Sequence, residues 1–191
     1  MSRRVLDDGV VRLVRPGPGH EAAFRSLRAR SGRFLSRWEP RPPLGVEIGG
    51  SAEWERFLGG ARDPRRERWL CERVRDGELI GQVGLSMIEK EPFSNVVLGW
   101  WIGKPHTRRG HGVRMVGLGL RRAFDGLGLA RAEANIRPEN EASRALARRL
   151  GFRMEGFSTA YLEIDGRRRD HERWAMLATE WEARTQARTR T

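Results

Sequence analysis

The segment “GWWIGKPHTRRGHGVRMV”, residues 99–116, contains the strongest local signals of secondary structure in this chain. An apolar run, residues 96–103, leads into a basic corner with glycines at positions 110 and 112, and a run with helical spacing follows. The first turn of a helix has free N–H groups and the positive end of the helix dipole, and glycine lets a ligand approach the backbone closely. The stretch therefore predicts a strand, an anion-binding corner and a helix, in that order.

Two common phosphate-binding motifs do not fit this corner. A dinucleotide fingerprint would need a third glycine where Met115 stands, and a P-loop would need Gly-Lys-Ser/Thr, a context that Lys104 lacks. Arg108, Arg109 and Arg114 add positive charge around the glycines. A loop whose glycines only make the turn is the alternative interpretation.

The rest of the chain alternates between strand-like and helix-like runs. Helical spacing is found at residues 19–35, 52–60 and 139–152. Further strands are predicted at residues 10–16, 68–74, 78–88 and 130–136, with a final pair within 157–178. The near-continuous apolar run of residues 96–103 is typical of a strand buried on both faces. The pattern predicts a mixed α/β sheet with helices on its faces, in one domain over residues 1–182, and a disordered tail over residues 183–191.

Composition limits the class of protein. The chain has 191 residues, of which 38% are hydrophobic and 32% charged, as in a globular protein of one domain. Its net charge is +12, and nearly all of its basic residues are arginine. Two explanations of this charge are compatible with each other. One is a genome that favours arginine codons, and the other is attraction to polyanions such as ribosomal RNA or phosphorylated cofactors. The arginines are spread along the whole chain, which speaks against one dedicated nucleic-acid face.

Cysteine content and apolar runs bear on the cellular compartment. Cys71 is the only cysteine, so no internal disulfide can form. No apolar run approaches the ~18 residues of a membrane span. Asp7 and Asp8 interrupt any signal-peptide core at the start of the chain. We expect a cytoplasmic protein without membrane contact.

Four segments resemble the GCN5-related N-acetyltransferases (GNAT), and specifically their RimJ/RimL branch. They are residues 99–116, “RPENEASRALARRLGFRMEG” at 137–156, “RFLSRWEP” at 33–40 and “YLEIDGRRRDHERWAML” at 161–177. The branch acetylates the N-terminal amino groups of ribosomal proteins, and the RimJ side is the more similar. The resemblance spans residues 12–181. It implies the GNAT fold, with a central mixed, mostly antiparallel sheet of about seven strands and helices on both faces.

The resemblance also implies that the anion is the pyrophosphate of acetyl-CoA, the cosubstrate. The strand before the corner would pair with the pantetheine arm, and one of its N–H groups would face the thioester oxygen. Thr107 stands where the family usually has Gln or Arg, so the resemblance implies the backbone contacts of the corner without that side-chain contact. The residues expected to bind the cofactor are Trp101, Ile102, Gly103, Arg108, Arg109, Gly110, His111, Gly112, Val113, Arg114 and Asn140.

Two expected catalytic positions depart from the family pattern. Ala147 stands where many members have a tyrosine for the leaving thiolate, so Ser143 of the branch's Asn-x-x-Ser motif is the expected thiolate partner. Asn140 is either a cofactor contact or a simple helix cap. Val97 stands where some relatives carry a glutamate base. Ordered water could then take the proton, since an N-terminal amine has a pKa near ~7.7–8.0.

Three residues are expected on the acceptor side: Trp38, Glu39 and Tyr161. Glu39 either contacts the substrate, relays a proton or is a solvated loop charge. Tyr161 lines the substrate channel or packs between strands. Four scattered histidines and one cysteine give no spacing for a metal site, so no metal is expected.

The predicted function is acetyl transfer from acetyl-CoA to an amine, with the N-terminal α-amine of a protein, of the ribosomal-protein-alanine type, preferred. A small amine, such as an antibiotic or a polyamine, is the alternative acceptor. A noncatalytic acetyl-CoA-binding protein associated with the ribosome is a different class, which the basic charge and the missing glutamate leave open. Ribosome or RNA attraction through the basic surface is a further expectation. Monomer and homodimer both remain open.

Overall fold

The computed structural model describes residues 6–60 and 62–189. An eight-stranded sheet lies at its centre in the order β1-β2-β3-β4-β5-β6-β8-β7. The strands are β1 (Leu6–Asp7), β2 (Val11–Val14), β3 (Glu67–Arg73), β4 (Leu79–Glu89), β5 (Asn95–Ile102), β6 (Arg131–Ile136), β7 (Arg153–Ile164) and β8 (Arg167–Leu177). Among the described strands, only β5 and β6 pair in parallel. The mixed, mostly antiparallel sheet is confirmed, and the strand beyond the expected seven is the two-residue β1.

Helices cover both faces of the sheet, as the sequence predicted. They are α1 (Glu21–Leu35), α2 (Ser51–Gly60), α3 (His111–Arg121), α4 (Glu141–Leu150) and α5 (Ala178–Thr189). Alternate residues of β3 face opposite sides, so Leu70 packs under α1 and α2 with Phe24 and Trp54. Trp69 faces the core beneath α3 and α4, with Met115.

The C-terminal segment differs from the predicted disordered tail. Helix α5 continues through residues 183–189, and residues 190 and 191 lie outside the described part. Trp181 anchors the helix against Phe124, with 6.2 Å between ring centroids. The Glu180 carboxylate accepts a hydrogen bond from the Leu177 N–H at the start of the helix. These contacts hold the first turn of α5 against the domain, and the helix continues from this turn into the polar, arginine-rich segment. No helix of the described residues is long and apolar enough to cross a membrane.

The sheet splits between its two parallel strands, and this split positions the site. Strands β5 and β6 pair only from Asn95 with Arg131 to Val97 with Glu133. Beyond Val97 the two strands diverge, and residues 98–102 of β5 line a groove. The prediction that this strand is buried on both faces is therefore wrong for residues 99–102, which are exposed or half-buried because the groove opens beside them.

Candidate active site

A groove of about 1070 Å³ occupies the split between β5 and β6. The first turns of α3 and α4 line one end of the groove, and the loop after α1 lines the other. It brings together most of the residues predicted from the sequence. Those that line it are Trp38, Glu39, Trp101, Ile102, Arg108, Gly110, His111, Gly112, Val113, Asn140 and Ser143.

The corner before α3 has the backbone geometry of an anion site. Gly110 has a φ of 78° and Arg108 a φ of 59°, so two left-handed residues turn the chain sharply into the helix. Gly110 accepts the first helical hydrogen bond, from the Arg114 N–H. The N–H groups of residues 111–113 therefore have no acceptor within the helix, and these residues line the groove. Such a turn can bind an anionic group.

Gly112 has a packing role beside its place in this corner. A Cβ on Gly112 would lie 2.9 Å from Leu146 Cδ1 and 3.7 Å from Ile102 Cγ1. The missing side chain thus lets α3 approach α4 and β5 closely beside the groove. The close approach of the neighbouring helix explains this glycine without a ligand.

Two residues predicted to contact the cofactor lie elsewhere. A Cβ on Gly103 would overlap the Leu27 side chain, and its N–H donates to the Ile80 carbonyl at 2.9 Å, so Gly103 serves the packing of α1 on the sheet. Arg114 pairs with Asp8 at 3.0 Å. Neither residue lines the groove.

Arg109 and Tyr161 also lie outside the groove lining. Arg109 is exposed beside the corner. Tyr161 is 40% exposed on β7, with its ring centroid 5.7 Å from that of His171, which does line the groove. Tyr161 therefore stands one side chain away from the acceptor end.

The alternation of backbone groups along β5 decides which amides face the split. The Gly103 N–H bonds to Ile80 on β4, and Trp101 lies opposite Gln82 in the same ladder. Backbone groups point to alternate sides along a strand, so those of Trp101 face β4 and those of Trp100 and Ile102 face the split. The backbone groups free to contact a cofactor are therefore those of Trp100 and Ile102, whereas the sequence predicted this contact for residues 101–103.

Asn140 and Ser143 form one local unit at the start of α4. Asn140 is the N-cap, and its Oδ1 accepts a hydrogen bond from the Ser143 N–H at 3.1 Å. Ser143 is half-buried, and its hydroxyl has no protein partner among the described residues. Ala147, at the position of the family tyrosine, is fully buried. The capping interpretation of Asn140 is confirmed, and Asn140 also lines the groove.

Glu39 belongs to a partly buried ionic cluster with Arg28 and Glu53. Arg28 is 6% exposed, and its guanidinium donates to both Glu39 oxygens, at 3.1 and 2.8 Å, and to Glu53 at 2.6 and 2.9 Å. The interpretation of Glu39 as a solvated loop charge is therefore wrong. Two carboxylates share one arginine, so the cluster carries a net charge of −1 beside the groove.

Three buried histidines line the groove, two of which the sequence did not single out. Burial, reinforced by nearby arginines such as Arg73, lowers the pKa of His106 and of His111. Burial also lowers the pKa of His171, whose Nδ1 lies 3.0 Å from the Arg169 carbonyl. Because a carbonyl only accepts, Nδ1 carries the proton, and Nε2 of the neutral ring is the acceptor.

Arg68 on β3 and Gln82 on β4 also line the groove, although neither was predicted from the sequence. No sequence signal marks them or His171, because their elements meet only in the fold. Among the described residues, no group of three or more His, Cys, Asp or Glu side chains is placed to hold a metal ion.

Comparison with known proteins places this geometry among acetyltransferases. The model of the acetyltransferase (GNAT) domain family matches residues 11–153. The chain is 28% identical to the [Ribosomal protein uS5]-alanine N-acetyltransferase of Escherichia coli (strain K12), with 94% of this chain and 92% of the relative covered.

Solved structures give the same picture. RimJ of Mycobacterium smegmatis, in complex with CoA-disulfide, superposes with a TM-score of 0.82 at 32% identity, over 90% of this chain and 84% of that one. Spermidine N-acetyltransferase from Vibrio cholerae, in complex with CoA and spermine, shares the fold with a TM-score of 0.77 at 21% identity, over 92% of this chain and 99% of that one.

Proposed function

The chain is a member of the acetyltransferase (GNAT) family, and on this premise we propose that it transfers the acetyl group of acetyl-CoA to the N-terminal α-amine of a protein, with a ribosomal protein as acceptor. The observation that carries the proposal is the groove in the split between β5 and β6, which runs from the corner before α3 to the loop after α1. The similarity to a ribosomal-protein alanine acetyltransferase over 94% of the chain supports this acceptor class. A cytoplasmic location follows from the same acceptor.

The corner before α3 fits the pyrophosphate of acetyl-CoA. This end of the groove has three amides without helical acceptors, which follow the left-handed Arg108 backbone. It also has His111 Nδ1, which lacks a hydrogen-bond partner among the described residues. The extended pantetheine arm would run along the edge of β5 that presents Trp100 and Ile102. An amide on this edge would stabilise the oxyanion that forms when the amine attacks.

The reaction needs a neutral amine and a protonated leaving group. The amine nitrogen bonds to the thioester carbonyl carbon, the C–S bond breaks, and the amine loses one proton while the thiolate can gain one. We assign the proton acceptor to His171, because its neutral ring lines the groove with Nε2 unprotonated. Ser143 donates to the thiolate. An α-amine, with a pKa near ~7.7–8.0, is partly neutral at pH 7, whereas a lysine amine near ~10.4 is almost wholly charged.

A competition assay tests the acceptor. Peptides that start with Ala or Ser are offered together with the same peptides blocked at the N-terminus and carrying an internal lysine, and with an aminoglycoside and spermidine. Product masses report which amine was acetylated. We expect the free α-amine to be modified first. Acetylation of only the lysine or only a small amine would overturn the proposal.

One observation favours a polyamine as the second candidate acceptor. The cluster of Arg28, Glu39 and Glu53 has a net negative charge beside the groove, which attracts a cationic amine. The spermidine arm of the same assay measures this candidate directly.

A further inference from the structure

Arg68 is a half-buried cation at the acceptor end of the groove. Its side chain lies on the face of the sheet beneath α1 and α2, as does that of Gln82 on the neighbouring strand. Both residues line the groove and also a recess of about 360 Å³, which opens from the groove beneath the loop that follows α1. The two side chains therefore face the space that an acceptor would enter.

Arg68 has no counter-ion within residues 6–60 and 62–189. Its Nε is buried without a hydrogen-bond partner, and its guanidinium carbon lies 5.8 Å from the Phe57 ring. The preceding residue behaves differently, since the Glu67 carboxylate is paired with Arg15 at 2.8 Å and Arg122 at 2.7 Å. Burial, with Arg66 nearby, lowers the pKa of Arg68. A partly buried charge without a partner costs folding free energy, and a ligand that pairs with the guanidinium would remove this cost.

Gln82 is similarly unsatisfied. The side chain is only 6% exposed, and its Oε1 is buried without a hydrogen-bond partner. A Cβ built on Gly84 would lie 3.0 Å from an Arg68 terminal nitrogen and 3.7 Å from Gln82 Nε2, so both end groups converge over this glycine. Together they offer several donors and one free acceptor in one small volume.

We propose that Arg68 and Gln82 form a subsite for a carboxylate on the acceptor, carried by Asp or Glu at the second or third position after the acetylated amine. This inference rests on the proposed N-terminal acceptor. The terminal nitrogens of the arginine fork can bind a carboxylate in bidentate geometry, and the Gln82 amide nitrogen can donate to it. Gln82 lies opposite Trp101 on β5, so the subsite is a few residues' reach from the split.

The same geometry argues against a polycationic acceptor. Arg68 lines the same recess as the Arg28, Glu39 and Glu53 cluster and brings the sum of these charges to zero, so a second ammonium group of a polyamine that enters the recess meets no net negative charge. A purely structural role for Arg68 is also distinguishable, because removal of a structural arginine should destabilise the fold, whereas removal of an unpaired buried charge should not.

The test compares two peptides that start with Ala and differ only by Glu against Gln at the third position, with thiol release as the readout. We expect wild-type kcat/KM to be about tenfold higher for the Glu peptide. Arg68→Met should remove this preference while the urea-unfolding midpoint stays the same or rises. The matched control is Arg66→Met, which removes one positive charge two residues away at an exposed site and should retain the preference. Free glutamate as acceptor separates a small-molecule carboxylate from a peptide.

Each outcome decides between the proposals. Equal rates for the two peptides in the wild type, or an unchanged preference in Arg68→Met, would overturn the subsite while leaving the N-terminal acceptor intact. Acetylation of free glutamate in preference to both peptides would assign the carboxylate to a small molecule and overturn the peptide subsite. If neither peptide is acetylated while spermidine is, the N-terminal acceptor and the subsite that rests on it both fall.

Discussion

The Asn140 side chain holds the Ser143 backbone: its Oδ1 accepts the Ser143 N–H at 3.1 Å. This bond fixes the start of α4 at the groove, and so it sets where the Ser143 hydroxyl lies. In the proposed mechanism, Asn140 therefore positions the thiolate partner Ser143 through the helix that it caps.

Replacement of Ser143 by Ala should lower kcat by about 10- to 100-fold, with the acetyl-CoA dissociation constant changed by less than about threefold. The hydrogen bond to the thiolate strengthens as the C–S bond breaks, so its loss affects the transition state more than the bound substrate. Single-turnover thiol release and calorimetry measure the two quantities. Asn140→Asp is the control, since it keeps the cap, whereas Asn140→Ala should cost ~1 kcal/mol of unfolding free energy. An unchanged kcat in Ser143→Ala would reassign the serine to the surface.

Two glycines of α3 provide a matched pair. A Cβ on Gly112 meets Leu146 at 2.9 Å inside the groove lining, whereas on Gly117 the nearest atom would be a Leu150 methyl at an ordinary 3.8 Å. Gly112→Ala should weaken acetyl-CoA binding about tenfold in calorimetry. Gly117→Ala should leave binding unchanged and raise the unfolding free energy by ~0.5–1 kcal/mol, since alanine favours the helix. Equal cofactor affinity in a folded Gly112→Ala protein would refute the assignment of the corner.

The sequence predicted the order of elements around the corner because apolar periodicity and glycine punctuation are local signals. It could not say which amides of β5 face the split. That depends on the pairing of Gly103 with Ile80 on another strand, which moves the open backbone groups from Trp101 to Trp100.

Long-range partners explain the other differences. Arg114 looks like part of a basic corner, but its partner is Asp8, 106 residues earlier in the chain. His171, Arg68 and Gln82 meet at one groove from three strands, and no spacing in the sequence brings them together. Glu39 could not be distinguished from a solvated charge without sight of the Arg28 guanidinium that binds both of its oxygens.

His171→Gln should lower kcat by about 100-fold, as expected for the loss of a general base. Acetyl-CoA affinity should be unaffected, because His171 lies on β8, away from the corner before α3. The acidic limb of the pH profile of kcat should disappear with the ring. His20→Gln is the control, since His20 lies outside the groove, near Glu72. If His171→Gln keeps the wild-type kcat, then ordered water and not His171 accepts the proton of the amine.

Stability should fall as the pH drops through about 6.5. Burial lowers the pKa of His106, His111 and His171 in the folded protein, so the unfolded chain binds more protons in this window. The free energy of unfolding therefore decreases with falling pH, and it levels off once the pH is below the folded pKa values. Urea unfolding at several pH values between about 7.5 and 5 measures this slope. His106→Asn should make the slope shallower, and a stability that rises toward pH 5 would contradict the assignment.

Substitutions of Arg28 and Glu39 distinguish the structural role of the ionic cluster from its role in acceptor binding. Arg28→Met leaves Glu39 and Glu53 without their shared partner, and it should cost about 3–5 kcal/mol of unfolding free energy. Glu39→Gln keeps Arg28 paired with Glu53 and brings the net charge of the cluster to zero, so it should cost less than about 2 kcal/mol.

The kinetic result of Glu39→Gln then distinguishes the two acceptor classes. If the cluster attracts a cationic amine, kcat/KM for spermidine should fall several-fold while that for an Ala-starting peptide with an acidic third residue stays the same. If the acceptor is a protein N-terminus, the wild type should have little spermidine activity. Glu39→Gln should then cause no measurable fall in kcat/KM for spermidine. Strong spermidine turnover that is abolished in Glu39→Gln would make the cluster the acceptor site and would favour the polyamine over the peptide.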